Sequence, residues 1–402
     1  MANSSGSCGR RGVRRWLGAT LAVLLGWVGV ACGEPPVDPR AQLSLTETLG
    51  GGDTVGYARA TEVRPFVFPQ DHGPHPDFRT EWWYLTGNLD TEEGRRFGYQ
   101  LTLFRSALAA TPPERPSAWA TRQAWMGHFA LTDVEGRTFH AFDRFTRGAL
   151  GLAGAQSDPV RAWIEDWSLE GPDEAAADED GAFPMRLRAE EGEVGLELRM
   201  EPAKPRVLQG REGLSQKGPE PGNASYYYAY TRLDSRGQVR LGTDTFTVAG
   251  LSWMDREWST SALGGDQVGW DWFALQLDDG WDLMIYQLRR SDGTPHPLSD
   301  GVLIAPDGSR TELAWGDELR LDVTGGWASP VDDTEYPSGW RIQVPAEGWD
   351  LRVEPVMEEQ ELNLAFRYWE GAVDVTGTTP RGPVEGRGYV ELTGYAGAPP
   401  GS

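Results

Sequence analysis

The amino-acid sequence predicts an all-β protein of sandwich or barrel type, on three observations. Gly (51) and Pro (28) together make up about a fifth of the 402 residues, which leaves little room for long helices because both residues weaken helix interiors. Apolar residues recur at every second position in several short stretches, the signature of half-buried strands. Between those stretches lie tight-turn sequences at short intervals, as in barrels and sandwiches.

Taken in chain order, Phe97, Tyr99, Leu101 and Leu103 share one face of a first segment. Val194, Leu196, Leu198 and Met200 do so in a second, opposite Glu197 and Arg199. Trp281, Leu283 and Ile285 alternate with Asp282, Met284 and Tyr286, and Val390 and Leu392 alternate with Tyr389, Glu391 and Thr393. Turns are expected at 234–237 (DSRG), 278–280 (DDG), 291–293 (SDG) and 306–308 (PDG), where Asp, Ser and Gly supply turn geometry. The run 173–180 (DEAAADED) reads as a solvated hairpin loop. Trp-Asp pairs at 270–271, 281–282 and 349–350 are not spaced at the ~40 residues of a propeller blade. A Tyr-rich segment at 226–233 closes the first block, so two domains are expected, at 56–245 and 246–397.

The N-terminus reads as an address. Arg10, Arg11, Arg14 and Arg15 precede an apolar run at 16–31 that is shorter than the ~20 residues of a spanning helix. Residues 29–33 (GVACG) resemble a lipobox with Cys32 as the lipidated residue. Residues 1–31 are therefore expected to be a lipoprotein-type signal, 32–55 a tether, and the location the bacterial cell envelope, with the membrane reached through Cys32.

A formal charge of −23 disfavours nucleic acid, and two cysteines cannot build a disulfide framework. The sequence has no G-x-S-x-G elbow around Ser215 or elsewhere, no G-x-G-x-x-G, no phosphate loop and no H-E-x-x-H. Residues 71–77 (DHGPHPD) bring His72 and His75 between two aspartates, but the two prolines favour a rigid loop over a metal site. No cofactor or metal is expected.

Two segments join acids to aromatics on strands. In one, Glu81, Trp83 and Leu85 share a face and Trp82, Tyr84 and Thr86 take the other. In the second, Trp253, Asp255 and Glu257 oppose Arg256 and Trp258. A carboxyl among indoles is desolvated, its pKa rises, and it persists as a neutral acid that can protonate a substrate. Aromatic faces stabilise a cation formed beside it. The bland reading pairs these acids with Arg79 or Arg256 at a barrel end. Candidate acids are Asp255, Glu257 and Glu81, and candidate ligand contacts are Trp82, Trp83, Tyr84, Trp258, Trp270, Trp272 and Tyr228. Two of the eighteen tryptophans, Trp16 and Trp27, fall in the leader, and the rest exceed what two cores need.

Segments 71–89, 95–105, 223–228, 250–263, 269–277 and 388–395 resemble the AttH-like family of secreted bacterial proteins, also called "predicted secreted hydrolase", which is related to carotenoid hydratases. The resemblance implies two lipocalin-like antiparallel barrels packed together. It also implies water addition to an isoprenoid double bond, with Trp258 and Tyr286 carried over. Arg256 stands where the hydratases have histidine, and Leu288 where they have the proposed proton-donating aspartate of a Tyr-x-Asp. The expected function is therefore an exported lipoprotein that binds an apolar, isoprenoid- or lipid-like ligand in an aromatic-lined cavity. The alternative is a hydratase-type enzyme, or a hydrolase as the family label suggests.

Overall fold

The computed structural model describes residues 54–396, apart from 112–116, 118, 174–176 and 262. The expected leader, Cys32 and all but the end of the expected tether lie outside the described residues.

Strands β1 (Thr80–Asp90), β2 (Arg96–Ala107), β3 (Gln123–Asp133) and β4 (Thr138–Arg147) form one antiparallel meander. Strands β5 (Ala153–Ser157), β6 (Val160–Ile164), β7 (Trp167–Glu170), β8 (Met185–Glu191) and β9 (Val194–Pro202) form another. The short strands β10 (Val207–Leu208) and β11 (Leu214–Gln216) lie on β12 (Ala224–Leu241), which makes a long hairpin with β13 (Asp244–Ser259). Because β13 pairs with β1 and β12 with β9, the hairpin joins both meanders into one sheet, β4-β3-β2-β1-β13-β12-β9-β8-β7-β6-β5. This sheet curls into a nearly closed barrel. At Gly127 on β3, a Cβ would already stand 3.0 Å from Ile164 and 3.1 Å from Trp167, across the barrel. The alternating residues of β2 and β9 fill the interior as expected.

The second sheet takes β14 (Gln267–Leu277), β15 (Asp282–Arg290), β16 (Asp300–Ile304), β17 (Arg310–Ala314) and β18 (Arg320–Val323). A small hairpin, β19 (Gly326–Ala328) and β20 (Glu335–Pro337), precedes β21 (Trp340–Val344) and β22 (Trp349–Pro355). Strands β23 (Glu361–Asn363), β24 (Arg367–Thr379) and β25 (Gly382–Leu392) complete it. Its order is β17-β16-β15-β14-β25-β24-β22-β21-β18, curled as a half-barrel around Phe273, Leu275, Leu283, Ile285, Val390 and Leu392. The chain is thus all-β, with only two three-residue 3₁₀ turns as helical elements among the described residues.

Two details of the organisation differ from expectation. The sheets divide between Ser259 and Gln267, so a boundary after residue 245 would fall inside β13. The stretch 234–237 is not a turn but the interior of β12, paired with β13 on one side and β9 on the other. A Cβ at Gly237 would lie 1.9 Å from the Glu197 carbonyl oxygen, so this glycine serves close backbone approach instead of a turn. The turn itself comes later, at Gly242. The expected turns at Gly280, Gly293 and Gly308 do form, each with positive φ.

Candidate functional site

Strand alternation gives each sheet a face toward its own core and a face toward the other sheet. On β1 and β13, Glu81, Trp83, Arg256 and Trp258 point into the barrel, while Trp82, Tyr84, Trp253, Asp255 and Glu257 point outward. On β14, Phe273 and Leu275 face the half-barrel core, so Trp270, Trp272 and Ala274 face the barrel. The two outward faces meet. Trp272 packs edge-on against Tyr84 at 5.0 Å and against Trp253 at 6.1 Å between ring centroids.

A cavity of about 60 Å³ opens in this seam, several times the ~10–15 Å³ that one water molecule needs. The barrel wall supplies Trp82, Tyr84, Phe104, Tyr227, Asp255 and Glu257, and Lys217 follows β11. Trp270, Trp272, Tyr286 and Glu391 form the opposite wall, and Leu263 lies in the connection between the sheets. Trp82, Trp270 and Tyr286 are half-buried, whereas Asp255, Trp272 and Tyr227 are buried.

Asp255 is held from two sides. The Trp253 indole N–H donates to its Oδ1 at 2.8 Å and the Tyr227 hydroxyl to its Oδ2 at 2.7 Å. Burial pushes its carboxyl up to about 8, with the charge of Glu257 adding to the rise, against the two hydrogen bonds and Lys217. Glu257 instead has a cation: Lys217 Nζ lies 3.3 Å away, and the Ser225 hydroxyl donates to the same carboxylate. Lys217 Nζ also sits 3.8 Å from the centroid of the Tyr286 ring, a cation–π contact. Across the cavity, burial raises Glu391 to about 7 although the Trp270 indole N–H donates to it at 3.2 Å. Its cross-strand neighbour Glu370 accepts from the Tyr84 hydroxyl at 2.5 Å and is raised well above its ordinary value by burial and by Glu391. The cavity therefore combines aromatic walls, a neutral acid and one lysine–glutamate pair.

Of the residues singled out in the sequence, Asp255, Glu257, Tyr286, Trp82, Tyr84, Trp270 and Trp272 come together here. Glu81, Trp83, Trp258 and Tyr228 do not: they lie inside the barrel. Burial alone would raise Glu81, but Arg105, Arg256 and His75 outweigh it and hold the carboxyl far below its ordinary range. It is a structural anion, paired with arginines on both neighbouring strands. His75 stacks on Trp258 at 3.7 Å, with its Nε2 3.0 Å from Asp71. His72 Nδ1 lies 2.6 Å from the Tyr228 hydroxyl. The 71–77 loop is thus bonded into the barrel mouth, and no metal-sized cluster of ligands occurs among the described residues.

The sequence signature of the AttH-like family matches residues 59–395. This chain belongs to the AttH-like family. It is 33% identical to an AttH protein of Nitrosomonas europaea, covering 84% of this chain and 100% of that one with a TM-score of 0.72. Kievitone hydratase from Nectria haematococca shares the fold at 14% identity, over 84% and 95% of the two chains, with a TM-score of 0.62. CghA with Sch210972 shares it at 11% identity, over 86% and 98%, with a TM-score of 0.50. None of the curated proteins matches the chain.

Lys217, Tyr227, Phe104 and Glu391 were not singled out as site residues. For Tyr227 the signal was present, since Tyr226, Tyr227 and Tyr228 must alternate between faces. For Lys217 the signal is compositional. Only Lys204 and Lys217 are lysines among 37 basic residues, and both are buried beside carboxylates.

Proposed function

We propose that the cavity between the sheets binds an apolar small molecule of isoprenoid or lipid type. The observation that carries this reading is the enclosure of the cavity by Trp82, Tyr84, Trp270, Trp272 and Tyr286, since concave, mostly aromatic sites with a few polar groups are what such ligands fill. A second reading is favoured by Asp255, a carboxyl kept neutral near pH 7 and facing those rings. In that reading Asp255 gives its proton to one carbon of a double bond, the rings stabilise the cation, water adds to the other carbon, and the proton that water releases returns to Asp255. Kievitone hydratase, a neighbour by fold, is named for a hydration.

One experiment serves both. The protein is incubated with a lipid and isoprenoid extract, repurified, and its bound molecules are identified by mass. Unaltered ligand, lost on Trp272→Ala, supports binding, and product heavier by one water, lost on Asp255→Asn, supports hydration. An empty, well-folded protein sinks both. We further propose that the chain is exported and anchored in the cell envelope through Cys32, on the strength of the basic–apolar leader and residues 29–33. Labelled fatty acid is expected in the wild type and absent from Cys32→Ser. Equal labelling would end this proposal.

A further inference from the structure

The two ends of the barrel differ in their exposed apolar side chains. At one end the turns carry Asp90, Glu92, Glu93, Asp133, Glu135 and Glu193. The other end is marked by the closing pairs Thr80–Ser106, Ala107–Gln123 and Ala124–Arg147. There the end of β4 and the connections after β2 and β4 expose large apolar side chains: Leu108 (55%), Trp119 (64%), Phe145 (49%) and Leu150 (58%). Their backbones are tied together. Leu108 N–H donates to the Arg122 carbonyl at 2.7 Å, Gly148 N–H to that of Gln123 at 3.2 Å, and the Arg147 guanidinium to that of Thr121 at 2.7 Å. The neighbouring acids Glu165 and Asp166 pair with Arg144. Asp178, Glu179 and Asp180, in the connection from β7 to β8, lie at this same end, while the sector formed by the connections after β2 and β4 presents apolar side chains with arginine.

Two further observations say what covers it. The chain reaches the barrel here: the Tyr57 hydroxyl donates to the Ala107 carbonyl at 3.2 Å, so the 53 residues before Thr54, whose sequence includes the apolar run at 16–31, join the described chain beside this rim. The rim is also continuous with the cavity. Phe145 stacks on Phe366 at 6.0 Å, and Phe366 packs in one apolar cluster with Phe104, Trp82 and Trp270, which line the cavity. Trp82 and Phe104 are only two residues in from the closing pair Thr80–Ser106.

We propose that this rim docks on a lipid bilayer, with Leu108, Trp119, Phe145 and Leu150 in the headgroup region and the cavity facing the membrane. Tryptophan and aliphatic side chains with arginine beside them suit that boundary. The proposal goes beyond ligand binding, because it concerns where the molecule sits.

The test uses the full chain with Cys8 and Cys32 changed to serine and a nitroxide on one introduced cysteine, Trp119→Cys, Leu150→Cys or, as a reference, Val323→Cys. Val323 is exposed at the end of β18 in the second sheet. On vesicles of phosphatidylethanolamine and phosphatidylglycerol, the labels at 119 and 150 are expected to gain oxygen collisions and lose those with a water-soluble nickel complex. The label at 323 is expected to stay in water. Labels at 119 and 150 as wet as that at 323 on vesicle-bound protein would overturn the proposal, as would a chain that never binds vesicles. Labels buried without vesicles, with a doubled sedimentation mass, would assign the rim to a second copy and overturn it too. None of these failures touches ligand binding, which the extract experiment reads separately.

Discussion

Asp255 and Glu81 are both buried carboxyls beside tryptophan, and their surroundings drive them in opposite directions. The folded carboxyl of Asp255 titrates near 8, against about 3.9 in an unfolded chain. The native state therefore binds the extra proton between those values, and stability falls as pH rises through that window and is level above it. Asp255→Asn keeps one oxygen to accept from the Trp253 indole, and its amide N–H can donate to the Tyr227 hydroxyl, without the charge. It is expected to melt higher than the wild type at pH 9, by a margin of up to several kcal/mol, and to lose that margin by pH 4. Thermal denaturation at several pH values checks this, and a margin independent of pH would refute it. The indole neighbours of Asp255 were legible in its own segment. Of the partners of Glu81, Arg256 was among those the bland reading offered, but Arg105 was not, because it stands opposite on another strand and alternation says which residues share a face, not what that face meets. The same blindness hid Glu391, whose acidity is set by residues more than a hundred positions away.

The β12–β13 hairpin holds the first sheet together, and its glycines show how tightly. A Cβ at Gly250 would lie 2.1 Å from the Asn88 carbonyl oxygen on β1, an atom of the backbone that cannot swing aside. Gly250→Ala is expected to cost about 1–3 kcal/mol, the usual range for overpacking. Gly265→Ala, with no atom within 4 Å of the new methyl, should be nearly neutral. Urea denaturation of the pair decides it: equal midpoints would show that β1 and β13 can separate without loss. At this scale the sequence was most readable. Period-two runs marked β2, β9, β15 and β25, and Asp-Gly turns flanked β15 and joined β16 to β17. Asp234-Ser235-Arg236-Gly237 misled because a glycine needed for close strand approach carries the same letters as a turn.

Across the whole molecule, the sheets are fastened by a buried aspartate. Asp282 on β15 takes Lys204 and the Arg232 guanidinium, each at 2.7 Å, together with the Thr231 hydroxyl at 2.8 Å, all three from the barrel side. Asp282→Asn leaves a buried lysine and a half-buried arginine facing a neutral group, which should cost about 3–5 kcal/mol. Since the cavity has one wall on each sheet, the same variant is expected to retain less ligand from the extract. Unaltered retention in a folded protein would show that the seam is held elsewhere. Two sheets were foreseeable, whereas a cavity between them was not, because a pattern of faces cannot say which outward face finds a partner.

The scarcity of lysine has a practical consequence. Of the two lysines, Lys204 precedes Pro205 and Lys217 precedes Gly218, so a lysine-specific protease, which spares Lys-Pro bonds, has a single cleavable bond in the entire chain. That bond belongs to a residue lining the cavity. When reclosing is fast, cutting follows the population of the open form. The yield of one pair of fragments thus becomes a clock for how often the seam opens, with no label and no known ligand required.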